Sequence, residues 1–199
     1  MVKQVGATDK FEVTFPGASR IIVEKPTDGE IAIFSTAGAN GFWLSTLEKA
    51  YGTSINKAPY FFVNSTSATD PLQGGFALRG VEIMTGHKAA KYEIGKPSEA
   101  IIAVRSRLAD AYHDHKIAVA CISNSGPEYT ADGLPTAHAY TVLNYLTSMD
   151  TVTLRNPWGY QGPKGAIENK GVFQMKMADF LADFTDIETE DPKLGSPND

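Results

Sequence analysis

The chain has 199 residues, of which 42% are apolar and 21% charged, and its net charge is −5. This composition is typical of a soluble globular domain with a sizeable core. The acidic balance argues against a nucleic-acid-binding protein, which usually carries a basic face. A single cysteine excludes a disulfide within the chain and does not favour a cysteine-based zinc site.

The first residues, "MVKQVGATDKFEV", contain no apolar segment of the kind that a secretory signal requires. No apolar run elsewhere approaches the length needed to cross a bilayer. We therefore expect an intracellular, cytoplasmic protein that has neither a membrane nor a nucleic acid as its partner.

The first half of the chain begins with β-type patterns and then changes period. The segments "FEVTF" (11–15), "RIIVE" (20–24) and "EIAIFS" (30–35) are rich in β-branched and aromatic residues, which predicts three strands. In "NGFWLSTLEKAYG" (40–52) the apolar residues recur at helical spacing, and Gly52 is predicted to cap the end of a helix. A turn-rich surface connection is expected over 59–75.

The second half combines a long helix, a buried strand and a hairpin. The helix is predicted over 96–116, with Ser98 as its N-cap and an apolar stripe that includes Ile102, Leu108 and Tyr112. The run "IAVACI" (117–122) predicts a buried strand, "HAYTVLNYL" and "TVTLRN" predict a hairpin, and "MKMADFLADF" predicts a short amphipathic helix. From Thr189 onward the polar sequence "TEDPKLGSPND" predicts a disordered tail.

The predicted hairpin carries a histidine, His138, and an asparagine, Asn156, 18 residues later. A three-residue loop centred on Thr147 would place them directly opposite, with Cβ atoms about 5 Å apart, whereas a four-residue turn at 147–150 would break this alignment. An asparagine oxygen can accept the imidazole N–H and leave the other ring nitrogen as a base, and Trp158 could keep water away from that bond. The alternative interpretation is a histidine packed at a strand end, followed by an Asn-Pro turn.

The segments "AHAYTV" and "TVTLRNPWG" resemble the calpain-like cysteine endopeptidases of the papain-type fold. In that family "GHAYSV" carries the catalytic histidine and "RNPWG" the asparagine that orients it. Four further segments are similar in the same order: "NGFWLSTLEKAYG", "QGGFALRGVEIMTG", "AVACIS" and "GVFQMKMADFLADFTDIE". Together they cover roughly residues 10–188.

This resemblance implies the second catalytic subdomain of the family over 1–188, followed by the tail at 189–199. Its expected fold is α+β, with a twisted, barrel-like antiparallel sheet and a few peripheral helices. By the same resemblance His138 is the general base and acid, Asn156 orients it and Trp158 shields the pair. Gly75 and Ala137, where the family has glycine, are expected to offer backbone groups to an extended peptide substrate.

The resemblance leaves the nucleophile unassigned, because no Gly-x-Cys-Trp segment occurs in the chain. Cys121 lies in the middle of an apolar strand, where a thiol is expected to have a raised pKa and to be inert. Two hypotheses remain. The chain is the C-terminal part of a cysteine endopeptidase, and supplies the His and Asn of a Cys-His-Asn triad to a first half in cis or in trans. Alternatively, it is an inactive pseudo-peptidase that binds peptides or proteins.

We expect no cofactor and no metal site. Calcium is compatible with the family, but the loop 160–171 carries a single acidic residue, Glu168, and oxygen-based calcium coordination needs several. His113 and His115 are favoured at a helix end simply by the helix dipole. The acidic residues near the C-terminus are predicted to form a solvated run: Asp183, Asp186, Glu188, Glu190 and Asp191.

Overall fold

The computed structural model describes residues 1–33, 41–56, 77–95, 98–123 and 126–195. Its contacts divide the chain into two compact units, Met1–Phe76 with Ile83–Gly86, and Ala77–Glu82 with His87–Pro197. The resemblance treats 1–188 as one subdomain, whereas each of these units has a hydrophobic core of its own.

The first unit contains a three-stranded antiparallel sheet of β1 (Val2–Gln4), β2 (Lys10–Val13) and β3 (Ile21–Glu24), in that order. The sequence patterns predict β2 and β3 and miss β1. Helix α2 (Trp43–Asn56) is confirmed but does not end at Gly52, since it continues to Asn56. Residues from the sheet, from α2 and from Ile83 form the core of this unit: Val13, Phe15, Val23, Ala50 and Ile83.

The strand predicted over 30–35 is wrong, because Asp28–Ile33 forms helix α1. A capping box starts this helix: the Glu30 N–H donates to Thr27 Oγ1 at 3.2 Å, and the Thr27 N–H donates to Glu30 Oε2 at 2.8 Å. Glu30 also accepts a hydrogen bond of 2.9 Å from the Lys49 ammonium of α2, and the two residues are only 5% and 7% exposed. A cap and a buried ion pair thus outweigh the β propensity of the isoleucines.

The second unit contains a six-stranded sheet in which every neighbouring pair is antiparallel, in the order β4-β9-β5-β6-β7-β8. The α+β class and the antiparallel sheet are therefore confirmed, and in the described residues the sheet is open rather than closed into a barrel. No described helix is both long and apolar enough to cross a membrane. The strands are β4 (Ala89–Glu93), β5 (Ala118–Ile122), β6 (His138–Leu146), β7 (Thr151–Arg155), β8 (Val172–Lys176) and β9 (Asp186–Glu190). The remaining helices are α3 (Ala77–Thr85), α4 (Ser98–His113) and α5 (Met177–Asp183).

Helix α4 packs on this sheet with a face that overlaps the predicted stripe at Leu108 but is rotated away from Ile102 and Tyr112. Ile102 and Tyr112 are 71% and 52% exposed, whereas Val104, Leu108 and Ala111 are buried. The buried residues follow a spacing of four and three, which places them on one helical face. Strand β5, the hairpin and α5 occur where the sequence predicts them.

Strand β9 corrects two predictions about the C-terminal segment. Thr189 and Glu190 belong to this strand rather than to a disordered tail, and a 3-10 helix follows at Pro192–Leu194. Asp186 and Glu188, predicted to be solvated, are 5% and 3% exposed. Both corrections have one cause: β9 lies between β4 and β5, so neighbouring strands pair with both of its edges.

Candidate active site

The hairpin of β6 and β7 brings His138 and Asn156 to the same end of the sheet, although not by the predicted register. Its turn occupies 147–150, so the three-residue loop is wrong. Thr141 pairs with Arg155, and an irregularity within β6 shifts the register by one residue between the turn and this pair. His138 and Asn156 are therefore not directly opposite one another.

The observed register makes the two residues diagonal neighbours instead. If the register is continued by one residue beyond the pair of Thr141 and Arg155, Asn156 lies opposite Tyr140. His138 is two residues from Tyr140 in β6 and therefore shares its face of the sheet. Diagonal neighbours are about 7–8 Å apart and within reach of long side chains. His138 Nε2 lies 3.0 Å from Asn156 Oδ1.

Two backbone groups define the orientation of the Asn156 amide and, through it, the tautomer of His138. The Trp158 N–H donates to Asn156 Oδ1 at 3.0 Å, and Asn156 Nδ2 donates to the Gln161 carbonyl oxygen at 3.1 Å. The first group can only donate and the second can only accept, so Oδ1 is the acceptor that faces the imidazole. His138 Nε2 must then carry the proton, which leaves the lone pair of Nδ1 free to act as a base.

The loop after β7 holds Asn156 in place through a close approach of two backbones. The Asn156 N–H donates to the Gly171 carbonyl oxygen at 2.8 Å. A Cβ on Gly171 would lie only 2.7 Å from the Asn156 carbonyl oxygen, and the φ of Gly171 is +79°, so glycine is required here. Sequence reasoning missed Gly171 and Gln161 as supports of the pair. The signal available in the sequence was the glycine directly before β8, which begins at Val172.

Two aromatic side chains restrain the imidazole. The ring of Tyr140, which is fully buried, lies edge-on at 4.8 Å between centroids, and the ring of Trp158 lies tilted at 4.4 Å. Trp158 is 47% exposed and stacks on Tyr160, while Asn156 is fully buried. The amide that accepts the hydrogen bond from His138 is therefore shielded from water, and a hydrogen bond is stronger where water is excluded.

Cys121 lies on the opposite face of the sheet from His138. Ile122 pairs with His138, and Cys121 pairs with Ala139. Paired residues share a face and successive residues alternate, so the thiol and the imidazole point away from each other. Burial, together with the nearby carboxylates of β9, raises the pKa of the Cys121 thiol to about 12. The thiol is therefore neither placed nor ionised for attack beside His138.

The two residues predicted to bind substrate have different outcomes. Gly75 lies outside the described residues. Ala137 is exposed and has a φ of +51°, in the left-handed region that favours glycine, and its N–H donates to the Ser123 carbonyl oxygen at 3.3 Å. This conformation explains why glycine suits the position before the histidine. The substrate-binding roles of both residues stay predictions.

We expect the substitution Ala137→Gly to stabilise the fold by about 0.5–1 kcal/mol. Relief of left-handed strain, roughly 1–2 kcal/mol, exceeds the extra entropy of glycine in the unfolded chain. Urea denaturation measures the difference. The matched control is Ala139→Gly within β6, where the same change should destabilise by a similar amount. If both substitutions destabilised equally, the strain at Ala137 would be disproved.

Comparisons with known proteins match most of this chain to one family. Residues 20–169 match the family model described as calpain family cysteine protease. The chain is 27% identical over 190 residues to the calpain-1 catalytic subunit of Sus scrofa, covering 81% of this chain and 25% of that protein. It is 27% identical over 139 residues to the calpain-2 catalytic subunit of Mus musculus, covering 66% of this chain and 18% of that protein. It thus spans a quarter or less of these relatives, and it belongs to the calpain family of cysteine proteases.

Proposed function

We propose that this chain supplies the general base and its orienting group to a Cys-His-Asn endopeptidase. The observation that carries the proposal is the contact of 3.0 Å between His138 Nε2 and Asn156 Oδ1, with the amide oriented by two backbone groups. This arrangement leaves Nδ1 as the nitrogen available for proton transfer. A histidine packed for structural reasons alone does not need a fixed tautomer.

In such a peptidase a thiol attacks the carbonyl carbon of a peptide bond and forms a thioester. His138 Nδ1 would take the thiol proton and later give it to the leaving amine. The Nε2–H bond to Asn156 would hold the ring in position and stabilise the imidazolium form while it carries both protons. The substrate would be a protein or an extended peptide inside the cell.

The thiol would come from a segment outside these 199 residues, either in cis or on a second chain. Two observations support this part of the proposal: the chain has one cysteine, and Cys121 lies on the face of the sheet opposite His138. The sequence contains no motif that would support a serine as the nucleophile instead.

We also propose that the loop 160–171 does not make the activity calcium-dependent. Its single acidic residue, Glu168, accepts a hydrogen bond from the Gly171 N–H. That carboxylate therefore helps to hold the Gly171 turn, which in turn holds Asn156. Calcium usually takes six to eight oxygen ligands, a number that this loop's carboxylates cannot approach.

A second candidate function is an inactive pseudo-peptidase that binds peptides. The observation that favours it is the pair of exposed stacked rings next to the histidine, Trp158 at 47% and Tyr160 at 60% exposure. Aromatic side chains of this kind provide contact area for a partner at low entropic cost. In this case peptide affinity would not depend on the imidazole of His138.

The test begins with the coding sequence directly upstream of the Met1 codon. If it encodes an in-frame Gly-x-Cys-Trp, the extended chain should hydrolyse a fluorogenic peptide. Replacing that cysteine with alanine, or His138 with alanine, should each lower kcat by at least about 1,000-fold. If the upstream sequence lacks the motif, the 199-residue chain is assayed with a panel of co-expressed proteins that carry it.

The matched control is His113→Ala, at an exposed histidine far along the chain from the pair, and should leave kcat unchanged. An extended or complemented chain that folds but never cleaves peptide would overturn the endopeptidase proposal. Unchanged peptide binding after His138→Ala would then favour the binding module. Cleavage by the 199-residue chain alone, abolished by Cys121→Ala, would contradict both.

A further inference from the structure

One face of the sheet in the second unit carries a thiol and two carboxylates. Cys121 of β5 pairs with Asp186 of β9, and Glu188 lies two residues further along the same strand. All three side chains therefore project from one face, the face opposite His138. Cys121 Sγ and one oxygen of each carboxylate lie within 4.8 Å of one another.

The two carboxylates are buried and incompletely satisfied. Asp186 and Glu188 are 5% and 3% exposed, yet Asp186 Oδ1 and Glu188 Oε2 have no hydrogen-bond partner in the described structure. A buried oxygen that lacks a partner costs about 1–3 kcal/mol, and more when it is charged. Such oxygens are rare in folded proteins, and a bound ion is one way in which they can be satisfied.

Protein groups already support each carboxylate. Asp186 Oδ2 lies 3.2 Å from Lys91 Nζ and accepts a hydrogen bond of 3.0 Å from Thr185 Oγ1. The Glu188 carboxylate is hydrogen-bonded by the backbone of Leu78, in the first turn of α3. Lys91 supplies one positive charge beside two carboxylates, so a bound cation would balance the remaining negative charge. Metal ligands commonly have such outer partners, which hold them in position.

We propose that Cys121, Asp186 and Glu188 form a site for a thiophilic divalent cation, zinc in particular. Zinc takes cysteine and carboxylate ligands in tetrahedral geometry, which separates the ligand atoms by about 3.5 Å. The three ligand atoms lie within 4.8 Å of one another, so zinc binding would draw them together by at most about 1.3 Å. A thiolate with two carboxylates disfavours calcium and magnesium, which prefer oxygen ligands throughout.

Zinc binding would satisfy the buried oxygens and release the thiol proton to solvent, because the thiolate is the ligand. The site is independent of the proposed peptidase function, since it lies on the other face of the sheet. The fourth coordination position of the zinc ion would be open to water or to a further ligand.

Cobalt substitution tests the site in the 199-residue chain. The protein is first stripped of metal with a chelator and then titrated with Co²⁺. Because Cys121 is the single cysteine, a thiolate-to-cobalt charge-transfer band can arise from this residue alone. We expect the band to saturate at one ion per chain and to disappear on addition of one equivalent of Zn²⁺, since zinc forms the tighter complex.

Two substitutions separate a built site from surface binding. Cys121→Ser should abolish the band, and Glu188→Gln, which keeps the shape of the side chain, should weaken zinc binding by at least about 100-fold. The matched control replaces His113 and His115 with alanine, since His113 is 88% exposed and such histidines bind metals weakly at surfaces. That variant should bind as tightly as the unsubstituted chain.

Zinc should also raise the Tm of the unsubstituted chain by several degrees and leave the Tm of folded Glu188→Gln unchanged. Absence of the charge-transfer band would overturn the proposal. The proposal would also fail if both site variants bound zinc as tightly as the unsubstituted chain, or if the His113 and His115 variant lost zinc binding. In either case the ion would be adventitious.

Discussion

Replacing Asn156 with alanine is expected to destabilise the second unit by about 2–4 kcal/mol. The fully buried amide is bonded to the Trp158 N–H, to the Gln161 carbonyl oxygen and to His138 Nε2. Its removal leaves all three groups without a partner. In a complemented peptidase the same change should lower kcat, because the imidazole loses the group that defines its tautomer.

Urea denaturation followed by circular dichroism measures the loss of stability, and ¹⁵N NMR of His138 measures its tautomer. The proton should reside on Nε2 in the unsubstituted chain and distribute over both nitrogens in the variant. Asn144→Ala, in the same hairpin, is the matched control because the buried Asn144 side-chain oxygen has no hydrogen-bond partner among the described residues. It should cost less than about 1 kcal/mol. An equal loss in both variants, with no change of tautomer, would contradict the orienting role.

Replacing Lys49 with methionine is expected to destabilise the first unit by about 3–5 kcal/mol, because it leaves Glu30 charged and buried. The two residues are 7% and 5% exposed, and their charged atoms lie 2.9 Å apart. The matched control is Lys10→Met, which breaks an ion pair with Glu24 whose side chains are more than half exposed. That control should change the free energy of unfolding by less than about 1 kcal/mol. Similar losses in the two variants would show that burial does not set the strength of the pair.

The same pair predicts a dependence of stability on acid. Burial acts to raise the pKa of Glu30, but the Thr27 amide and the Lys49 ammonium outweigh it, so the pKa lies below its ordinary value of 4.5. The unfolded chain therefore binds the proton more readily than the folded chain. The contribution of the pair is fully present above the ordinary value and is lost as pH falls through the lowered one. The stability difference between the unsubstituted chain and Glu30→Gln should shrink over that acid range in urea denaturation.

Local patterns in the sequence were sufficient for α4, β5, the hairpin and α5 of the second unit, but they missed β4, β8 and β9. Strand β5, the hairpin and α5 follow from β-branched runs and helical spacing, which neighbouring residues alone determine. The contact between His138 and Asn156 was predicted from the segments that resemble the family. The argument that placed the two residues directly opposite each other in the hairpin was wrong. The failure has a physical cause: a four-residue turn and an irregularity in β6 together decide the register, and neither has a distinctive sequence signal.

The strand wrongly predicted over 30–35 was a different kind of error. A capping box formed by Thr27 and Glu30 was readable from the sequence, whereas the buried partner, Lys49, lies in a separate helix. The α-helical outcome therefore rests partly on a local signal that strand propensity obscured and partly on a contact across the unit. Propensity is a weak guide when tertiary contacts oppose it.

The sequence by itself determined the family and the α+β class, and it predicted His138 and Asn156 as a base and its orienting residue. The tertiary structure alone decided which atom of His138 is free, which face of the sheet Cys121 occupies, and that Asp186 and Glu188 are buried. The reason is the same in each case. The sequence of a polar strand such as β9 suggests solvent exposure, but long-range pairing places this strand between β4 and β5. The alternation of side chains along each strand then decides which face of the sheet each residue occupies.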